Sequence, residues 1–143
     1  MIEFAMVLAL LLMALLGAVD ASLWGLGGMA AAIGAADGVR IATDSTTGNP
    51  NTLALSAGAL AAAKLVQPGV PGTHVVVVAG CPPIATVPGG TLDVCAQNVG
   101  GGFVEVGVIG SLAAIIPPPF GFGTHNGIPI NVVVYGHSGA FAQ

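Results

Sequence analysis

Residues 4–19 read FAMVLALLLMALLGAV, sixteen positions without a polar side chain, and a carboxylate stands at each end of them, Glu3 and Asp20. No other feature restricts the chain as much, because an apolar run of this length needs cover from lipid, from a core or from copies of itself. Beyond Asp20 the run resumes, and residues 21–36 contain Ser22 as their only polar residue. Read as one helix, residues 4–36 span about 50 Å, whereas a bilayer core of roughly 30 Å takes only about 20 residues. The helix therefore starts in an apolar medium and continues well past it. Leu, Met and Ala dominate its first half and favour helix. Gly17, Gly25, Gly27, Gly28 and Gly34 either weaken the later part or let another helix approach closely.

Charge is scarce in the rest of the chain too. The full inventory is Glu3, Asp20, Asp37, Arg40, Asp44, Lys64, Asp93 and Glu105, a net charge of -4 with only 6% charged residues, against about 25% in an ordinary soluble domain. Two basic side chains cannot neutralise a run of phosphates, so nucleic acid is excluded as a partner, as is a polybasic membrane-surface patch. Disorder is excluded by the opposite imbalance, since disordered chains are poor in apolar residues and rich in charge.

Past the long helix, taken as residues 1–43, the composition predicts a small head over residues 44–143. Residues 44–51, DSTTGNPN, read as a loop. Residues 52–66, TLALSAGALAAAKLV, read as a second helix on which Leu53, Ala57, Leu60 and Lys64 share a face. Asn51 or Thr52 caps its start and Pro68-Gly69 closes it. The period then changes. HVVVVA at 74–79 predicts a largely buried strand, GFVEVGVI at 102–109 a strand with Glu105 facing water, and IPINVVVY at 128–135 another, with Pro129 at its start. Pro- and Gly-rich loops separate them. The expected fold is α+β: a long hydrophobic N-terminal α-helix, a short helix, and a small antiparallel β-sheet within about residues 73–143.

Three readings compete for the N-terminal segment. A cleaved signal peptide wants basic residues before its apolar run, and here the only charge ahead is Glu3. A plain membrane anchor accounts for the hydrophobicity but not for a carboxylate at the edge of hydrocarbon, which is costly and asks for a partner. The third reading comes from resemblance. IEFAMVLALLLMALLGAVD at residues 2–20 closely resembles the N-terminal signature of TadE-like proteins, pilin-like members of the type IV pilin superfamily from tight-adherence systems. Their pattern runs Val/Ile-Glu-Phe-Ala, a leucine-rich stretch, then Gly-x-x-Asp/Glu. AADGVRIA at 35–42 is similar to the family's Ala-Ala-Arg-Glu-Gly-Ala-Arg-Tyr-Ala at the corresponding place. The head follows the family in its order of elements. The chain departs from the family in its scarcity of basic residues, which suits a main structural subunit. It departs also in placing the glutamate third, where processed pilins usually carry it fifth. Whether cleavage falls just before Met1, two residues are missing, or Met1 is the initiator stays open.

The resemblance implies a pilin-like fold and a physical mechanism rather than a chemical one. The helix sits in the inner membrane before assembly, with the head outside the cytoplasm. Prepilin peptidase and the assembly machinery act on it, and the helices of many copies then bundle into an extracellular surface filament used in adhesion. Glu3 meets the α-amino group of a neighbouring copy, and Phe4, Asp20 and Trp24 belong to the assembly surface. For Asp20 two readings stand: a cap or salt bridge, with Arg40 of the same or an adjacent copy, or a solvated residue at the membrane boundary. The alternative function is a membrane-anchored minor pseudopilin or accessory protein that primes or regulates assembly.

Cys81 and Cys95 bracket a Pro/Gly-rich loop, and in an extracytoplasmic head such a pair is expected to form a disulfide. No Cys-x-x-Cys is present, and His74, His125 and His137 share no metal-ligand spacing, so neither a metal nor another cofactor is expected. Gly100-Gly101-Gly102 lacks the Gly-Lys-Ser/Thr of a phosphate loop, and no nucleophile elbow surrounds Ser138. An enzyme is not expected. Trp24 and Met29 read as packing residues, and Tyr135 and Phe141 as core, interface or adhesive aromatics.

Overall fold

The computed structural model describes residues 2–44, 52–83, 87–113 and 127–137, with side chains from Phe4 onward. Helix α1 runs Ile2–Thr43 without interruption, and α2, Thr52–Val66, lies against its second half. A single 3-10 turn, Gln67–Gly69, ends α2 at the Pro68-Gly69 stop. Four strands follow: β1 His74–Ala79, β2 Thr91–Gly100, β3 Phe103–Leu112 and β4 Ile128–His137. They form one sheet in the order β1-β2-β3-β4. The architecture is the expected α+β arrangement.

The two helices meet through small residues. A Cβ on Gly38 would stand 2.8 Å from the Gly58 carbonyl oxygen, and a Cβ on Gly58 would stand 2.5 Å from that of Gly38. Gly34 is similarly tight against Ala62 and Val66. The helices therefore approach as closely as backbone allows, which only glycine at these positions permits. Gly25 and Gly28 have nothing within 4 Å of such a Cβ and serve no such contact.

One face of the sheet packs on this helix pair. Leu92 and Val94 of β2, Val104, Val106 and Val108 of β3, and Ile130 of β4 join Ala31, Ala35, Val39, Ala62 and Val66 in the main core. At the far end Gly136 lets β4 press onto Val39 and Thr43. The opposite face carries the alternate residues: Asp93, Cys95 and Gln97 stand directly across from Ile109, Gly107 and Glu105.

Three expectations are corrected. The sheet is mixed rather than antiparallel, because β1 pairs with β2 in parallel, His74 opposite Thr91 and Ala79 opposite Ala96. Parallel neighbours need a crossover connection, usually a helix. Here the described residues of that connection, 80–83 and 87–90, are not helical, and its Cys81 and Val87 pack with Val78, Cys95 and Ile109 on the face away from the helices. Second, β1 is not largely buried: it is an edge strand, with Val76 and Val77 both more than two-fifths exposed. A Val run signals strand conformation but not its position in the sheet. Third, β2 was absent from the expected strands, and Cys95 sits in its middle rather than at the end of a loop.

Candidate assembly surface

Residues 4–19 of α1 project from the head. Phe4 is 74% exposed, Leu10 68% and Leu15 58%, so no face of this stretch is covered within one copy. The helix meets the head at Asp20, whose side chain is 1% exposed. From there a stripe of small residues faces the head: Gly27, Ala31, Gly34, Ala35, Gly38, Val39 and Ala42 are all buried. The spacing of about three and four places them on one side of a helix. The larger residues of the same stretch, Trp24, Leu26, Met29 and Ile33, point away and are each more than half exposed.

Helix α2 repeats this inversion. Its buried positions are Gly58, Ala59, Ala62 and Val66. The face shared by Leu53, Ala57, Leu60 and Lys64 is the outward one, with Leu53 75% exposed. Between the helices an open groove is lined by Leu23, Leu26, Met29, Ile33, Leu65 and Pro68. The helix side of the head is thus apolar and uncovered well beyond the projecting segment. Contiguous apolar surface of this kind marks an interaction site.

The other side is polar. On the outward face of the sheet Gln97 Nε2 donates to Glu105 Oε2 at 3.1 Å. Asp93 stands between Val76 and Ile109 on the neighbouring strands, and this desolvation raises its carboxyl above the ordinary value of 3.8. Tyr135 is 63% exposed, and the His137 ring meets Phe103 edge-on with centroids 4.7 Å apart.

Phe4 and Trp24 lie on the exposed apolar surface, whereas Asp20 faces the head; the side chain of Glu3 lies outside the described residues. The solvated reading of Asp20 is overturned by its burial. It lines a cavity of about 290 Å³ with Leu23, Val70, Thr73, Leu112 and Ile128. A salt bridge with Arg40 of the same copy is also excluded, since 20 residues of helix separate them by about 30 Å. Arg40 instead pairs with Asp37, Nη2 to Oδ1 at 3.1 Å, an exposed contact worth little. The sequence held a signal for Asp20: it shares the helical phase of Gly27, Ala31 and Gly34. Cys81 and Cys95 form the expected disulfide, with Cα atoms 5.1 Å apart. It ties the segment just after β1 to the centre of β2, and the Cys81 N–H donates to Gln97 Oε1. Among the described residues no cluster of His, Cys, Asp and Glu is placed to hold a metal. His74 and His137 lie on β1 and β4, while His125 and Phe141 fall outside the described residues.

By length and composition α1 is one helix able to cross a membrane. Compared with known proteins, the chain matches no family model, no curated protein and no solved structure.

Proposed function

We propose that the chain is a structural, TadE-like pilin subunit that polymerises through α1 into an extracellular surface filament, with adhesion a property of the polymer. The observation that carries this reading is the extent of the uncovered apolar surface. A membrane anchor needs about 20 residues of helix. Here large apolar side chains continue outward past that length, at Leu26, Met29 and Ile33 of α1 and at Leu53, Leu60 and Leu65 of α2. A tethered head facing water has no use for them. A subunit surrounded by its neighbours covers them all, and its sheet face, with Asp93, Gln97, Glu105 and Tyr135, becomes the outer surface. In this reading the subunit waits in the inner membrane, is handled by prepilin peptidase and the assembly machinery, and exchanges lipid contacts for helix contacts on extraction. Glu3 is neutralised by a neighbour's α-amino group.

Ile33→Glu separates this reading from an anchored accessory protein. Ile33 is 58% exposed in the subunit, so the head folds and membrane retention persists, but filament incorporation is lost because a carboxylate is buried without a partner. Filaments at the normal level in Ile33→Glu cells, scored by electron microscopy and surface shearing, contradict the proposal. Glu3→Ala gives the same loss of incorporation at the other end of the helix.

A further inference from the structure

We propose that the end of the head from which α1 emerges is a lipid-interface surface, resting before assembly at the boundary between headgroups and acyl chains of a bilayer. The inference depends on residues 4–19 being a membrane helix, and adds which part of the head meets lipid. From Phe4 to Trp24 the helix advances about 30 Å, the thickness of a hydrocarbon core. Trp24 is the single tryptophan of the chain and is 53% exposed. Its ring is of the apolar-bodied, polar-tipped kind that gathers at membrane interfaces.

The head surrounds Trp24 at that level. Trp24 lines one hollow with Pro71, Ala113 and Ile128, and a second with Ala21, Ile128 and Pro129. Pro71, Ala113 and Pro129 are exposed, and none of these residues carries a charge. Among the described residues the carboxylate at this height, Asp20, is turned into the head at 1% exposure. That orientation keeps from lipid a group whose ionised form is costly there. The next charges on α1, Asp37 and Arg40, stand about 25–30 Å further along the helix. With no Lys or Arg among the described residues at this end, contact is apolar rather than electrostatic and does not require anionic lipid.

The lone tryptophan reports on its own position. The full chain is reconstituted in phosphatidylcholine vesicles containing lipids brominated either near the headgroup or near the chain end. Trp24 emission is expected to fall more with the headgroup-proximal bromines, and to respond equally when anionic lipid is added. In a Trp24→Phe background, Pro129→Trp tests the head itself and is expected to show the same shallow quenching. Leu11→Trp in that background is expected to be quenched most by the deep bromines. Shallow quenching at Trp24 with none at position 129 shows a head that stands off the bilayer and overturns the proposal. No quenching at position 24, with deep quenching at position 11, also overturns it while leaving the membrane helix intact. Absence of quenching at position 11 defeats the membrane reading of α1, and the proposal with it.

Discussion

Residues 4–19 and residues 20–43 of α1 are both strongly apolar, yet only the second stretch touches the head. The difference lies in where the small residues fall. In the second half Gly27, Ala31, Gly34, Gly38 and Ala42 line one face and let the sheet and α2 come close, while Trp24, Leu26, Met29 and Ile33 are left outside. In the first half Leu and Met stand on every side and no such face exists. Burial along α1 thus follows smallness rather than hydrophobicity. The large residues of that stretch are left uncovered by the head.

The comparison can be broken at its tightest point. The disulfide sets the scale of what holds the head: replacing Cys81 and Cys95 by Ser releases a loop of sequence separation 14 and is expected to cost about 3 kcal/mol. Denaturant unfolding of the head checks this. Gly58→Val comes next, since its side chain would drive into the Gly38 carbonyl and the Ala42 methyl. Overpacking of this kind costs about 1–3 kcal/mol, and a head as stable as before shows that the helices do not depend on backbone contact. Leu11→Ala in the projecting half removes comparable apolar bulk where no head contact exists, and is expected to leave head unfolding unchanged within about 0.5 kcal/mol.

The smallest effect concerns the polar side. The carboxyl of Asp93 is raised by desolvation, so the folded state holds its proton more tightly than the unfolded chain does. Stability on this account is highest below the ordinary carboxyl range and falls as pH rises through the folded value. Asp93→Asn is therefore expected to stabilise the head slightly at neutral pH, by less than about 0.5 kcal/mol, with the gain vanishing in acid. Thermal unfolding of both proteins across that pH range measures it, and a gain that persists in acid contradicts the cause given.

Much of the fold was legible because its signals are local. Unbroken apolar helix formers marked α1, the Ala-rich stretch stopped by Pro68-Gly69 marked α2, and Val runs marked β1, β3 and β4. β2 was illegible for a physical reason: TLDVCAQNVG alternates correctly but places Asp, Cys and Gln on a face covered in part by Cys81 and Val87, so its composition resembles a loop. Parallel pairing of β1 with β2 was hidden likewise, since no helix announced the crossover. At the candidate assembly surface the projecting run and Trp24 were plain in the sequence. Asp20 misled, because a carboxylate between two apolar stretches reads as a boundary with water. Only its helical phase, shared with the glycine and alanine stripe, points it into the head.

The central claim is that the outward apolar surface of α1 and α2 is covered by copies of the same chain. Electron microscopy of material sheared from the cell surface, with the subunit identified by mass spectrometry, tests it most directly. Regular filaments built of this chain are the expected result. Recovery of the protein only in the membrane fraction, as single copies, contradicts the claim and leaves α1 as an anchor.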